Sequence, residues 1–321
     1  MDQAAVEALL QQEIDASDVK FIVLDDDPTG VQTVHDISVY TDWSVESIQS
    51  GLMEPGKVFY ILTNSRGLTA EQTTAVHREI SANINAAAKA TGKRYLIMSR
   101  SDSTLRGHFP LETELLREGM EEAGRHVDGE ILCPFFLEGG RFTIGNTHYV
   151  QYGDELVPAA QTEFAKDKTF GYTHSDIPSY IEEKTGGKYP ADSVTCISLE
   201  ELRAQDYDGI VAKLDAVTEL QQGVRQRREL LRHQDLRRGP LPEPGPRQDL
   251  PVPHGGRSGQ GVGGITDIPL LRRKRYGNHG HGTGGVVVVG SHTKKTTAQL
   301  EALLKLPCVV PIEFQQRSGT G

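Results

Sequence analysis

The feature that most constrains this fold is an apolar run, Phe21–Leu24, that leads directly into the acidic turn Asp25-Asp26-Asp27-Pro28-Thr29-Gly30. A short apolar run that ends at a turn signal is typical of a strand buried in a parallel sheet. Ligands of open α/β sheets bind at the carboxyl ends of the strands, and crowded carboxylates with raised pKa values are typical of functional sites. We therefore predict a functional site here. The alternative is a solvated acidic loop in which Asp27 opens an Asx turn.

Strand-like and helix-like patterns alternate over the first part of the chain. Strands are predicted at Phe21–Leu24, Val58–Thr63, Tyr95–Ser99, Gly129–Cys133 and Ser193–Ile197. Helices are predicted at Val45–Leu52, Thr69–Thr91, Leu111–Gly124 and Asp176–Thr185. Repeated βα units predict an α/β fold with a mainly parallel sheet and helices on both faces. The polar segments that follow the strands are then expected to meet around one crevice.

Composition narrows the function classes. The 321 residues predict two domains, and a net charge of −10 argues against nucleic acid or an anionic membrane as the main partner. The amino-terminal sequence is an acidic amphipathic helix rather than a signal peptide, and no apolar run is long enough to span a membrane, so we predict a cytosolic protein. The three cysteines, widely spaced, indicate neither a zinc site nor disulfides. An anionic small substrate would need a local cluster of arginines.

The composition changes abruptly near Val224. Residues 225–260 contain eight Arg, six Pro and five Gly, with no Lys, Ile, Phe or Tyr. One interpretation is a natural linker, and the other, which we favour, is a stretch translated out of frame. The predicted organisation is a substrate-binding α/β domain at 1–222, an anomalous linker at 223–280 and the start of a second α/β, nucleotide-binding domain at 281–321.

The second domain is predicted from one βα unit. Val286–Val289 is a candidate strand, Gly290 and Ser291 form the turn after it, and a helical pattern follows. A turn at a helix N-terminus binds anions well, so Gly290 and Ser291 are predicted to contact a nucleotide. The alternative is an ordinary capped βα turn, because the sequence is not a Walker P-loop. As the chain ends at Gly321, we expect this domain to be incomplete.

Two families have to be weighed for the first domain. Asp25-x-Asp27-x-Thr29 after an apolar strand is similar to the nucleophile motif of haloacid-dehalogenase-type phosphatases, which would use Asp25 as nucleophile, Asp27 as general acid and a magnesium ion. That family also needs a later strand that ends in an acidic pair, and none is found. The phosphatase remains the alternative function.

A second resemblance covers more of the chain. The segments DDDPTG, TNSRG, SRSDSTLRGHFPLE, PFFLEGGRFTIGNTHYV, GGITDIPLL and VVVVGSHTKKTTAQLEALL together resemble the four-carbon acid sugar kinase family, over about residues 18–222 and 262–314. The resemblance implies an amino-terminal α/β domain that binds the sugar acid and a carboxyl-terminal domain that binds ATP. It implies ATP-dependent phosphorylation, with Mg²⁺, of the terminal hydroxyl of threonate, erythronate or a 3-oxo-tetronate.

The residue types suit that substrate, because a sugar acid needs planar cations for its carboxylate and short polar side chains for its hydroxyls. Phosphoryl transfer also needs an acceptor for the hydroxyl proton, for which we choose Asp27 over Asp25. The predicted substrate-binding residues are Asp26, Ser65, Arg66, Arg100, Asp102, Ser103, Thr104, Arg106 and Arg141. Asp102 has a structural alternative as a helix cap or ion-pair partner, and no residue is assigned to a metal.

The early end of the chain leads to an expectation about activity. We expect this polypeptide to bind a four-carbon sugar acid, with Arg66 and Arg106 on its carboxylate, and to lack ATP-dependent turnover. A non-catalytic sugar-acid-binding protein is therefore the third function class left open.

Overall fold

The computed structural model describes residues 3–217, 263–265, 286–290 and 294–313. The chain divides into two compact units, Met1–Asp267 and Ile268–Gly321. The elements of the first unit are α1 (Gln3–Ala16), β1 (Lys20–Asp25), β2 (Val39–Tyr40), α2 (Val45–Met53), β3 (Val58–Leu62), α3 (Ala70–Thr91), β4 (Tyr95–Arg100), α4 (Leu111–Glu122), β5 (Arg141–Ile144), β6 (Thr147–Tyr152), β7 (Glu155–Pro158), α5 (Ile177–Lys184), α6 (Leu199–Ala204) and α7 (Tyr207–Ala216). The second unit contains α8 (Lys294–Leu303).

The main sheet has four parallel strands in the order β2-β3-β1-β4. β1 is central, and its last residue, Asp25, lies opposite Leu62 of β3 and Arg100 of β4. The predicted α/β fold with a parallel sheet flanked by helices is therefore confirmed. The acidic turn lies at the carboxyl edge of the sheet, between two neighbouring strands.

Alternation along β1 divides its side chains between two cores, because successive residues of a strand point to opposite faces. Ile22 and Leu24 pack in the larger core, to which α2, α3 and α4 contribute Ile48, Leu52, Ile80, Ile84, Leu116 and Met120. Val23 points the other way, into a core with Tyr60 and Met98 that is covered by Val31, Val34, Ile37 and Ile265. The same alternation continues into the acidic turn.

Three of the predicted helices, α2, α3 and α5, begin at residues whose side chains cap them. Thr69 forms a capping box with Gln72 at the start of α3, and Gly92, with φ of +66°, ends that helix in the left-handed conformation. Ser44 caps α2 and Asp176 caps α5. Side-chain caps therefore start these three helices, whereas α4 begins after Pro110 without one.

A second, antiparallel sheet has the order β5-β6-β7. Gly145 and Asn146 form the turn between β5 and β6, both with positive φ, the conformation that a tight two-residue hairpin requires. Val150 of β6 packs in a core with Leu105 and Tyr180. This sheet is absent from the sequence-based prediction, although the Gly-Asn pair is a hairpin signal.

Two predicted strands are wrong. Gly129–Cys133 forms no strand, and Leu132 packs against the core of the small sheet. Ser193–Ile197 is also not a strand, since the N–H of Val194 closes a 3₁₀ turn on Ala191 and Ser198 already caps α6. An apolar run alone does not specify a strand partner.

In the second unit, the predicted helix is present as α8, and the predicted strand is wrong. Val286–Val289 has no strand partner among the described residues, and the side chain of Val286 is 90% exposed. A strand needs a neighbour for its backbone groups, and the described residues provide none. Within the described ranges, no helix has both the length and the apolar character needed to span a membrane.

Candidate functional site

The three consecutive aspartates have three different environments. Asp25 continues the alternation of β1 towards the face of Val23 and Tyr60, and Asp26 lies on the opposite side, towards α3 and α4. Asp27 is further along the turn and its side chain is 27% exposed, against 2% for Asp25 and 3% for Asp26. Only the third carboxylate is therefore accessible from solvent to an appreciable extent.

Asp25 is enclosed between Arg100 and Gly30. The Nη1 atom of Arg100 lies 3.5 Å from Oδ1 of Asp25, a distant contact for an ion pair. A Cβ atom on Gly30 would lie 1.8 Å from Oδ2 of Asp25, so only glycine allows the turn to cover the carboxyl group so closely. Burial raises the pKa of Asp25 to about 7, although Arg100 acts in the opposite direction. This carboxyl group changes protonation near neutral pH.

Asp26 is held by a bidentate arginine. Nη2 of Arg66 donates to Oδ1 at 2.5 Å, and Nε donates to Oδ2 at 3.1 Å. The hydroxyl of Ser101 donates to Oδ2 at 2.8 Å. Burial raises the pKa of Asp26 above its ordinary value, although the guanidinium of Arg66 and the hydroxyl of Ser101 act in the opposite direction. The two parallel charge-assisted bonds favour the ionised pair, so we assign Asp26 as a carboxylate.

Asp27 is fixed by its own turn and by the same arginine. The backbone N–H of Thr29 donates to Oδ1 at 2.8 Å, the Thr29 hydroxyl contacts the same oxygen, and Nη1 of Arg66 lies 3.1 Å from Oδ2. Burial acts to raise the pKa of Asp27, but the bonds from Thr29 and the charge of Arg66 outweigh it and hold the pKa below its usual value. Asp27 is therefore an oriented, ionised carboxylate at the rim of the turn.

A buried polar cluster lies behind Asp26. The hydroxyl of Ser65 donates to Oε1 of Glu112 at 2.5 Å, and Nε2 of His77 lies 3.6 Å from the same oxygen. Burial, reinforced by the nearby charge of Asp26, raises the pKa of Glu112 to about 7. The Ser65 hydroxyl is thus engaged inside the protein, where it fixes the 3₁₀ turn that carries Arg66.

The segment after β4 has its own ion pair. Nε of Arg106 donates to Oδ2 of Asp102 at 2.6 Å, the hydroxyl of Thr104 contacts that same oxygen, and Nη1 of Arg106 lies 3.7 Å from Asp167. Burial acts to raise the pKa of Asp102, but Arg106 and Arg66 together hold it below its usual value. Asp102 therefore links the two arginines electrostatically.

Three side chains bind successive carbonyl groups of this segment. Nε2 of His148 lies 2.8 Å from the carbonyl oxygen of Ser103, and the hydroxyls of Tyr172 and Tyr180 donate to those of Thr104 and Leu105 at 2.7 and 3.0 Å. His148 is on β6 and is fully buried. The small sheet and the residues after it therefore hold the 103–105 backbone in place.

Arg141 lies at the start of β5, beside an aromatic ring. Its guanidinium carbon is 5.7 Å from the ring centroid of Phe164, over which Arg106 also lies at 5.0 Å. Nη1 of Arg141 donates to the carbonyl oxygen of Gly139, and its buried Nε has no hydrogen-bond partner among the described residues. Burial lowers the pKa of Arg141 below its ordinary value.

The predicted residues fall into groups. Asp26, Asp27 and Arg66 are in direct contact, and Asp102, Thr104 and Arg106 form the neighbouring cluster. Asp25 and Arg100 are paired on the other side of the strand, Ser65 points inward, and Ser103 contributes its carbonyl group to His148. Gly290 belongs to the other unit and is exposed, and Ser291 lies outside the described residues. Their predicted nucleotide contact stays a prediction.

Sequence reasoning missed several residues. Glu112 and His77 lie within helices, where their spacing resembles ordinary amphipathic patterning, and Phe164 and Asp167 lie in a segment for which no element is predicted. The signal for Gly30 was available, because a glycine that directly follows an acidic turn often marks close backbone approach. Within the described residues, no group of three or more His, Cys, Asp or Glu is arranged to hold a metal ion.

Comparison with known families gives a match over most of the first unit. A family model described as a sugar-binding N-terminal domain matches residues 21–232. That range contains the acidic turn, Arg66 and Arg106 with their aspartates, and the small antiparallel sheet. No significant match was found among curated proteins.

Solved structures also resemble the chain. One is a domain of unknown function (DUF1537) from Bordetella bronchiseptica, a domain-swapped dimer with bound citrate, with 20% identity over 74% of this chain and 53% of that one and a TM-score of 0.44. Another is the Haemophilus influenzae protein HI1011, of the same DUF1537 family, with 14% identity over 75% of this chain and 54% of that one and a TM-score of 0.44. The chain spans about half the length of these structures.

Proposed function

The chain belongs to the family of the sugar-binding N-terminal domain, and from this premise we propose that it is the sugar-acid-binding part of an ATP-dependent kinase of four-carbon sugar acids. The observation that carries the proposal is the position of Asp27. It is an oriented, partly exposed carboxylate at the carboxyl edge of a parallel sheet, with Arg66 against it and a second arginine cluster beside it. Ligands of such sheets bind at this edge.

In the proposed reaction the protein itself forms no covalent bond with the substrate. The terminal hydroxyl oxygen of the sugar acid attacks the γ-phosphorus of ATP, the bond from that phosphorus to the β-phosphate oxygen breaks, and ADP leaves. Asp27 accepts the proton of the attacking hydroxyl. A carboxylate whose pKa is low is a weak base. In a loose transition state, however, the proton of the hydroxyl leaves late, so the acceptor is needed chiefly to orient that hydroxyl.

The remaining residues orient the acceptor. Arg66, fixed by Asp26 and by the Ser65 turn, sets the position of Asp27. We assign the sugar hydroxyls to the short polar side chains of the 102–106 segment, of which Ser103 is half-buried. A magnesium ion bound together with ATP would neutralise charge on the transferred phosphate. Gly290 and Ser291 remain our candidates for nucleotide contact.

Titration calorimetry with threonate and erythronate tests the binding part. We expect one of the two acids to bind to the 321-residue chain, and binding of neither would contradict the proposal. A coupled ADP-release assay with a panel of four-carbon acids tests the transfer step. Where turnover is measured, Asp27→Asn should lower it by about 100-fold or more while leaving acid binding in place, and unchanged turnover in this variant would remove Asp27 from the reaction.

The phosphatase alternative is disfavoured by one observation. Its nucleophile would be Asp25, whose carboxylate is covered by Gly30 and is 2% exposed, so it offers no path for in-line attack on a phosphate. We expect no hydrolysis of p-nitrophenyl phosphate in the presence of magnesium. Hydrolysis that disappears in Asp25→Asn would establish the phosphatase instead.

A further inference from the structure

The four arginines of the candidate site differ in what already neutralises them. Arg66 is paired with Asp26 and Asp27, Arg106 with Asp102 and Asp167, and Arg100 with Asp25. Arg141 has no carboxylate within 4.0 Å among the residues that the structure describes. Arg66 and Arg106 are therefore occupied, and Arg100 is buried beside Asp25, so Arg141 is the guanidinium group available for an external anion.

The surroundings of Arg141 make an unneutralised charge costly. The side chain is half-buried, its buried Nε–H has no acceptor among the described residues, and its only hydrogen bond there is to the carbonyl oxygen of Gly139. A buried donor without an acceptor and a cation without a counter-ion are both unfavourable, and a carboxylate would satisfy both. A lysine could not replace this geometry, because only a guanidinium presents parallel donors to the two oxygens.

Arg141 is connected to the rest of the site through Phe164. The ring lies beneath both Arg141 and Arg106, and stacking on its face holds a guanidinium plane in a fixed orientation. Arg106 in turn binds Asp102, whose charge also acts on Arg66 beside Asp27. A series of contacts through Phe164, Arg106 and Asp102 thus connects Arg141 with the Arg66–Asp27 pair.

We propose that Arg141, stacked on Phe164, is the residue that binds the carboxylate of the sugar acid, and that Arg66 and Arg106 act as positioning residues for their own aspartates. The proposal rests on the proposed function and refines it, since it specifies which end of the substrate lies towards the small sheet. The acid group lies at Arg141, and the terminal hydroxyl lies at Asp27. It also revises our sequence-based expectation that Arg66 and Arg106 bind the carboxylate.

The test compares an acid with its neutral counterpart. Titration calorimetry of the full chain measures threonate and threitol, which share the four-carbon hydroxylated skeleton but differ in the carboxylate. Arg141→Gln should weaken threonate binding by about 30-fold or more and leave threitol binding unchanged. Arg141→Lys should also weaken threonate binding, by a smaller factor, because one point charge replaces two parallel donors.

Arg78→Gln is the matched control, because Arg78 is an exposed arginine on α3. It should leave both affinities unchanged. If the wild type binds neither threonate nor erythronate, the proposed function itself fails; if it binds erythronate alone, erythronate and erythritol replace threonate and threitol in the comparison. If the wild type binds threonate and folded Arg141→Gln or Arg141→Lys binds it equally well, the assignment of Arg141 is wrong and the proposed function stands. A loss of threitol affinity equal to that of threonate would also overturn the assignment.

Discussion

The two sides of β1 hold a buried carboxyl group in different ways. Asp25 and Asp26 are adjacent, both almost fully buried, and each faces an arginine from a neighbouring part of the sheet edge. On one side the contact is a single 3.5 Å approach beneath a glycine, and the pKa of Asp25 rises to about 7. On the other side Arg66 forms two parallel bonds and Ser101 adds a third.

The difference shows that burial alone does not decide the charge of a carboxyl group. Geometry decides how much of the desolvation cost the partner offsets, because bidentate, hydrogen-bonded pairs remain ionised where looser pairs give up charge. One side of the strand therefore provides a fixed charge that positions Arg66 and Asp27. The other side provides a group that exchanges a proton near neutral pH.

The largest expected effect comes from replacing Asp26, with the same replacement at Asp25 as the comparison. Asp26→Asn leaves Arg66 partly buried with Asp27 as its remaining partner, and we expect the free energy of unfolding to fall by about 3 kcal/mol. Asp25→Asn replaces a carboxyl group that is mostly protonated at pH 6 by a neutral group of the same shape, so we expect a change of about 1 kcal/mol or less. Urea denaturation at pH 6 measures both variants. Equal losses would remove the distinction between the two sides.

A smaller effect isolates the Asp25 side sterically. The Cβ of Gly30→Ala would lie 1.8 Å from Oδ2 of Asp25, so the carboxyl group or the turn must move, and we expect a loss of about 1–3 kcal/mol. Gly56→Ala is the control, because the nearest atom to its Cβ is 3.9 Å away. Its effect should stay within about 0.5 kcal/mol. A neutral Gly30→Ala, measured by thermal or urea unfolding, would mean that the turn does not cover Asp25 tightly.

The smallest effect is a dependence on pH. The pKa of Asp25 rises from 3.8 to about 7 on folding, so between these pH values the folded state binds the extra proton. Stability from this group is complete below pH 3.8 and is lost as the pH rises through 7. From pH 6 to pH 7 we expect Asp25 to account for a decrease of about 1 kcal/mol in the free energy of unfolding.

Urea unfolding at pH 6 and pH 7, compared between the wild type and Asp25→Asn, measures how much of this decrease is due to Asp25. The comparison is needed because burial also lowers the pKa values of His77 and His148, which makes stability rise with pH below about their usual value. Glu112→Gln should remove a decrease of similar size, since its pKa is also raised to about 7. A pH dependence that neither substitution alters would contradict the assigned pKa values.

The sequence predicts the parallel sheet well, because its signals are local. Apolar runs mark β1, β3 and β4, and Thr69, Ser44 and Gly92 mark helix ends. The strands that failed are those whose identity depends on a distant partner. Gly129–Cys133 has a strand-like composition, but its leucine packs elsewhere, and the hairpin at Gly145 was overlooked although its turn signal is local.

The sequence predicts which residues belong to the candidate site better than it predicts which of them pair with one another. Strand ends gather the acidic turn and the segments that carry Arg66 and Arg106, because parallel strands finish at one edge. Which oxygen faces which donor depends on side-chain direction across the sheet. Only the structure therefore shows that the Ser65 hydroxyl is bonded to Glu112 and that Nε of Arg141 has no acceptor among the described residues.

The three anchored carbonyl groups of residues 103–105 have a consequence for recognition. A peptide unit is planar, so fixing a carbonyl oxygen also fixes the N–H of the next residue in the opposite direction. His148, Tyr172 and Tyr180 thereby orient the amides of Thr104, Leu105 and Arg106 without a ligand. The conformational entropy of this backbone is lost when the chain folds, so a molecule that docks against it does not have to order it again.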